Sequence, residues 1–294
     1  MLLLLFFRTN RLNPAKQNRI NIMSIKIGRA SIFDKRLTLI AGPCVIPPKR
    51  DEKVCFLIAE SLKNISLENN IPFIFKASYD KANRTSYKSY RGVGLKKGLS
   101  LLAKIKKAFD IPVLSDVHSV TEVKPASEVI DVIQIPALLS RQTDLLIAAA
   151  KTGKPINIKK GQFMAPEDIY YAIEKIRNAG NNKIIITERG TTFGYHTLIN
   201  DMRAIPIMKK FGYPIIFDAT HSVQMPGAGK GKSSGNREMI PCLAKAAVAA
   251  GADGVFFEVY PQPEKALCDS ANSLHLGKLN DLLKTLIKIR QAIL

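Results

Sequence analysis

From Met23 onward, short apolar runs rich in Ile, Val and Phe recur along the chain, each ending in polar or charged residues. In order they are LTLIAGPC, PFIFKASYDK, PVLSDVHS, DVIQIPA, PINIKKGQ, KIIITERG, PIIFDATHS and GVFFEVYP. Their length and near-continuous apolarity predict strands buried on both faces, as in a parallel sheet covered by helices. Between them, stretches such as VCFLIAESLKNIS, GLSLLAKIKKAF, EDIYYAIEKIRNAG and MIPCLAKAAVAAG carry apolar residues at helical spacing. Several close in Gly or Asn, which suits helix termination. Strand and helix thus alternate eight times, and eight βα units in about 250 residues predict an α/β fold of the (β/α)8 TIM barrel type. A doubly wound open sheet is the alternative, but no GxGxxG follows the first strand. SIKIGRASIFD, before the first barrel strand, predicts a short N-terminal β-hairpin closing the barrel bottom. No linker or low-complexity segment interrupts residues 23–294, which we expect to form a single domain.

The first residues, MLLLLFFRTNRLNPAKQNRINIM, fall outside this pattern. Their apolar run is too short to span a bilayer. They lack a basic leading region and a small-residue cleavage site, so they make a poor signal peptide. The segment is basic, with no acid before Asp34, a faint transit-peptide character. Met23 followed by SIKIG reads as a more natural start. We expect residues 1–22 to be a disordered extension or an overextended start.

Composition narrows the class. The chain has 294 residues, 46% of them hydrophobic, enough for one sizeable core. Four cysteines, Cys44, Cys55, Cys242 and Cys268, share no CxxC spacing and are too sparse for a disulfide scaffold. We expect reduced thiols in a cytoplasmic protein, with Cys55 and Cys242 on apolar helix faces. The net charge is +20. The bland reading is lysine spread over solvated faces; the sharper ones are nucleic acid, a membrane surface or anionic substrates, and without a run of like charges or basic residues interleaved with aromatics the first of these is disfavoured. Neither nucleic acid nor membrane is expected as a partner.

A barrel places its chemistry at the C-terminal ends of its strands. Cys44, Lys76 to Arg84, Asp116 and His118, Gln134, Lys159 and Lys160, Glu188 and Arg189, Asp218 and His221, and Glu258 should therefore converge on one mouth. Two constellations stand out. Cys44, His221, Glu258 and Asp269 come from the ends of strands one, seven and eight and the loop beyond. A thiolate, an imidazole and two carboxylates suit a divalent transition metal, Zn, Fe or Mn. The other reading of Cys44 is a buried thiol after a tight Gly-Pro turn. Lys76, Lys81, Arg84, Lys159 and Arg189, with Gln134 nearby, form a cationic set suited to phosphate or carboxylate. The bland alternative pairs those cations with Asp80, Asp116 and Glu188. Residues 225–238, MPGAGKGKSSGNRE, do not match GxxxxGK[ST] and read as a lid over the mouth. KSYRGVGL, residues 88–95, reads as a second loop of this kind.

The segments FKASYDKANRTS, SDVHS, DVIQIPALLSRQTDLL, NIKKGQF, TERGTTFGY, FDATHSVQ and GVFFEVYPQPEKALCD occur in order from about Leu37 to the C-terminus. They resemble the 3-deoxy-D-manno-octulosonate 8-phosphate synthase family. The resemblance implies a (β/α)8 barrel, commonly a homotetramer, that condenses phosphoenolpyruvate with D-arabinose 5-phosphate and releases phosphate. Its product enters the lipopolysaccharide core. By resemblance, Lys76, Lys81 and Gln134 hold the phosphoenolpyruvate carboxylate region. The backbone at Ala137, with Lys159 and Arg189, forms its phosphate site. Asn83, Arg84 and Thr85 form the arabinose 5-phosphate site, reaching toward a neighbouring subunit, and Asp116 contacts a sugar hydroxyl. Thr85 departs from the usual Ser but keeps the hydroxyl. Lys159, His221 and Asp269 are expected at the reacting atoms, with no general acid or base singled out.

That family has a metal-binding class with Cys and a metal-free class with Asn in its place. Cys44 in AGPC matches the first. CDSANSL lacks the CDGP of the second, although Cys268 is shared with it. The sister 3-deoxy-D-arabino-heptulosonate 7-phosphate synthases use erythrose 4-phosphate and usually carry a KPRTSP-like or RPRTSP-like segment. KANRTS here favours the octulosonate branch. A basic nucleic-acid-binding protein would need its distinctive cations on an outer face. A catalytically dead barrel would leave motif positions unfilled, and all are filled.

Overall fold

A computed structural model of the chain describes residues 24–27, 30–228 and 234–294; the extension expected over residues 1–22 lies outside them. Each of the eight apolar runs is a strand: β1 Thr38–Gly42, β2 Phe73–Lys76, β3 Val113–Asp116, β4 Val132–Ile135, β5 Ile156–Lys159, β6 Ile184–Glu188, β7 Ile215–Asp218 and β8 Gly254–Tyr260. Every strand pairs in parallel with its neighbour in sequence, and β8 also pairs with β1, which closes the barrel. The helices α1 Lys53–Glu68, α2 Leu95–Phe109, α3 Val120–Ser127, α4 Thr143–Lys151, α5 Ile169–Asn178, α6 Ala204–Lys209, α7 Ile240–Ala249 and α8 Leu279–Ala292 alternate with them. Gly180 and Gly251 follow α5 and α7 with φ of 89° and 99°, the left-handed geometry that ends a helix most easily at glycine.

The pleat sorts the side chains. Outward residues such as Phe75, Ile133, Ile158, Ile186 and Phe217 join the core shared with the helices. Inward residues Ile40, Ile74, Leu114, Val132, Ile185, Ile216 and Phe256 form a separate apolar cluster inside the barrel. The predicted hairpin is present, Ile25–Ile27 antiparallel to Ala30–Ile32, and its Ile25, Ile27 and Ile32 with Phe33 complete that inner cluster. It seals the floor. Above the floor lies a polar layer: Asn157 donates to Gln134 (3.0 Å) and accepts from Thr187 (2.7 Å).

The same alternation decides what reaches the mouth. Counting two residues on from the inner apolar positions leads to Lys76, Asp116, Gln134, Asp218 and Glu258. Lys160 and Glu188 fall on the opposite phase, contrary to the expectation that they converge there. Lys160 is fully buried behind the wall, donating to the Met164 carbonyl (3.0 Å) and Thr191 Oγ1 (3.1 Å), with Glu188 at 3.6 Å. Of the expected lid, residues 229–233 lie outside the described residues; its flanks pair as Gln224–Met225 with Ser234–Gly235.

Candidate active site

One cavity of about 360 Å³ opens at the C-terminal ends of the strands. Its lining includes Lys76, Lys81, Asn83, Arg84, Thr85, Asp116, Gln134, Ala137, Lys159, Arg189, His221 and Asp269, so the structure brings the whole predicted substrate set together. The 80–92 loop carries four of these. It is clasped at its base by Arg91 on Asp80 (2.9 and 3.0 Å) and by the Lys81 amide on the Arg91 carbonyl (2.6 Å).

The β8–β1 register sets Glu258 opposite Gly42, so Cys44, two residues on, sits beside that carboxylate's wall. Lys76 Nζ donates to Glu258 Oε1 (2.7 Å) and to the Cys44 carbonyl (3.0 Å), and both charged side chains are 1% exposed. Burial lowers the Lys76 ammonium and the Glu258 charge opposes that shift. Burial raises Glu258, but the charges of His221, Lys76 and Lys81 bring it down to about 2. Glu258 Oε2 is buried and makes no hydrogen bond. It faces His221 Nε2 at 3.6 Å. Donor atoms of His221, Glu258 and Asp269 lie within 4.8 Å of one another.

Asp218 organises the neighbouring wall. Its Oδ2 accepts from Lys159 Nζ (2.5 Å) and lies 2.7 Å from His221 Nδ1. The Asp218 contact at Nδ1 fixes the ring so that Nε2 points towards Glu258, the nitrogen a metal would take. Burial would raise Asp218, but His221 and Lys159 hold it well below the carboxylate range. Sequence reasoning placed Asp218 at the mouth and gave it no role; its position three residues before His221 in FDATH was the available signal. Phe256, part of the inner cluster, lies beneath Lys159 Nζ, 3.9 Å from its ring centroid.

The cations are partly paired, but not as the bland reading had it. Lys76 and Lys159 take Glu258 and Asp218, whereas Asp80 takes Arg91. Arg189, 4% exposed, donates through Nη2 to Gln224 Oε1 (3.0 Å), while its Nη1 is buried without a partner. Arg84 Nε is likewise buried and unsatisfied. Such donors are costly unless an anion completes them. Gln224, missed from sequence, also donates to Asp269 Oδ1 (3.0 Å), so it ties the cationic set to the acidic one. Asp269 holds a left-handed φ of 49°, a conformation that Asp adopts more readily than most residues.

The cysteines correct one expectation. Cys44 and Cys268, 224 residues apart, are joined as a disulfide, with Cα atoms 6.4 Å apart. Neither could signal this pairing in sequence, because only barrel closure brings them together. Cys44 Sγ also lies 3.0 Å from Asp269 Oδ2. Cys268, set aside as a ligand from sequence, clusters with Cys44 and Asp269. Cys55 is buried and Cys242 is exposed, so Cys242 is not core as expected.

Comparison with known proteins decides the family. The DAHP synthetase I family matches residues 14–294. A 2-dehydro-3-deoxyphosphooctonate aldolase of Pelobacter propionicus is 57% identical over 264 residues, 89% of this chain and 96% of its own. Proteins of the same name from Geotalea uraniireducens and Desulfotalea psychrophila are 55% and 54% identical over 267 and 257 residues. These cover 91% and 87% of this chain, and 96% and 91% of theirs. The chain belongs to the DAHP synthetase I family, among its 2-dehydro-3-deoxyphosphooctonate aldolases. Within the DAHP synthetase I family, these relatives side with the octulosonate branch that KANRTS favoured. Among the described residues of this family member, no helix is long and apolar enough to cross a membrane.

Proposed function

We infer that this chain condenses phosphoenolpyruvate with D-arabinose 5-phosphate, giving 3-deoxy-D-manno-octulosonate 8-phosphate and inorganic phosphate for the lipopolysaccharide core. One observation carries the reading beyond family membership. A single cavity holds two unsatisfied buried guanidinium nitrogens, Arg189 Nη1 and Arg84 Nε, one on β6's end and one on the 80–92 loop. Two anion sites in one pocket suit two phosphorylated substrates.

Arg189, Lys159 and the backbone at Ala137 take the phosphate of phosphoenolpyruvate. Lys76, Lys81 and Gln134 face its carboxylate. Asn83, Arg84 and Thr85 take the sugar phosphate, and Asp116 accepts from a sugar hydroxyl. C3 of phosphoenolpyruvate attacks the sugar aldehyde, water adds at C2, and the resulting hemiketal phosphate breaks its C–O bond to release phosphate. Lys159 Nζ, held by Asp218 and 3.4 Å from His221 Nδ1, is placed to keep a proton beside the departing phosphate.

We read the chain as the metal-dependent class. The unsatisfied Glu258 Oε2, with the His221 ring and the Asp269 carboxylate close by, fits a divalent transition metal, with Cys44 as fourth ligand when reduced. Bound there, Zn, Fe or Mn would supply positive charge to polarise an oxygen. The cytoplasm suits both the thiolate and the phosphorylated substrates. Residues 23–294 act as one domain. We take the chain to act as a homotetramer, as the family resemblance implies.

The test is phosphate release from the two substrates in reductant, before and after a strong chelator, then with metal restored. Activity should disappear and return. Activity that survives verified metal removal overturns the metal role and keeps the reaction. Activity with erythrose 4-phosphate alone overturns the choice of sugar.

A further inference from the structure

Asp116 lines the cavity, and each of its oxygens has a protein partner. Ser78 Oγ donates to Oδ1 (2.5 Å) and His118 Nε2 lies 3.0 Å from Oδ2. The other ring nitrogen of His118 lies 3.3 Å from Glu122 Oε2. That same oxygen accepts from the His118 amide (2.9 Å) and from the Tyr79 hydroxyl (2.6 Å). Tyr79 is 1% exposed and packs edge-on to the imidazole, with centroids 5.9 Å apart. Asp116 lines the cavity; His118, Glu122 and Tyr79 stand behind it.

We propose that Glu122, anchored by Tyr79, is a positioning residue for the sugar substrate: it holds His118 as a doubly donating imidazolium that keeps Asp116 ionised and aimed into the cavity. This rests on the reading of Asp116 as a sugar-hydroxyl acceptor. Ser119-x-x-Glu122 has the sequence of a helix capping box, but Ser119 makes no side-chain cap bond and Glu122 accepts from the His118 amide instead of the Ser119 amide, so capping does not explain that bond. Nor does it account for the ring contact or for Tyr79. Both ring nitrogens face carboxylates, and only an imidazolium donates to both.

The charged groups around the ring agree. Asp116 comes from β3, Glu122 from α3, and Tyr79 from the segment after β2. Lys76 and Lys81 face Asp116, and Arg91, held by Asp80, is the cation on the Glu122 side. Burial opposes charge on His118, but the hydrogen bonds to Asp116 and Glu122 outweigh it and lift the ring to about 10.

The experiment follows the His118 ring by nitrogen-resolved NMR and measures steady-state kinetics in reductant, for the native enzyme, Glu122→Gln and Tyr79→Phe. The native ring should stay doubly protonated through pH 8. Glu122→Gln should lower its pKa by about two units, since one of two charged partners is lost. It should also cut kcat/KM for arabinose 5-phosphate about tenfold, with KM for phosphoenolpyruvate nearly unchanged. Its pH profile should gain a descending limb where the ring deprotonates. Tyr79→Phe should move both readouts in the same direction by less. A native ring titrating near pH 6.5, or Glu122→Gln leaving titration and sugar kinetics untouched, would overturn the proposal. A native enzyme inert towards arabinose 5-phosphate, with the ring titrating as stated, overturns the sugar assignment and upholds the charge relay to Asp116.

Discussion

Lys76 shows how much a single buried charge does. Desolvation of an ammonium costs several kcal/mol unless a partner and hydrogen bonds meet it. Glu258 and the Cys44 carbonyl meet it here, and in return Lys76 keeps Glu258 charged. Lys76→Met should leave that carboxylate in the wall with one ammonium fewer. We expect a loss of about 3–5 kcal/mol in stability, as for other broken buried pairs. Denaturant unfolding measures it; an unchanged midpoint would mean that Lys81, at 3.8 Å, takes over the pairing. Lys76 was legible in sequence as a cation at a strand end. Its partner was not, since Glu258 lies 182 residues away.

At the level of elements, the barrel depends on how closely β1 approaches β2. Gly42 closes β1 at an inward position, and a Cβ there would meet the Lys76 carbonyl at 1.9 Å. That contact is with backbone and cannot be relieved by a side-chain rotation. Gly42→Ala should therefore push β1 from β2, displacing Lys76 and Cys44 together. Overpacking of this kind costs about 1–3 kcal/mol or more. The measurement pairs the melting temperature with metal content in reductant, and both should fall. A variant that melts like the native protein and retains full metal would show that the strands tolerate the separation. The eight strands were readable because burial on both faces makes them uniformly apolar. Which polar residues enter the cavity was readable only through the pleat, and reading strand ends without their phase is what misplaced Lys160 and Glu188.

For the whole molecule, the titrating groups set a pH window. His118 is raised from 6.5 to about 10, so its contribution to stability is complete below pH 6.5 and is lost as pH rises through about 10. Burial raises Glu122, but bonds from His118 and Tyr79 hold it near 2, below its ordinary 4.5. Burial likewise raises Asp116, which His118, Lys81 and Lys76 hold well below 3.8. These carboxylates contribute stability that is present above about pH 4.5 and is lost as pH falls through their folded values. Melting temperature should thus be highest between about pH 4.5 and 6.5 as far as this cluster is concerned. Glu122→Gln should flatten both limbs relative to the native curve; parallel curves would show that the cluster does not contribute.

By itself the sequence determined the order and type of the eight βα units, the floor hairpin and the residue types available at the mouth. Those follow from local patterns: apolar runs, helical spacing, and the polar residue that ends each run. Only tertiary structure decided the partners. Closure of β8 on β1 put Glu258 opposite Gly42 and brought Cys268 to Cys44, across more than two hundred residues. It also lined up Gln224 between Arg189 and Asp269, and Glu122 behind Asp116. Hydrogen bonds and ion pairs act over a few ångströms, and no spacing along the chain encodes a distance that the barrel creates by closing.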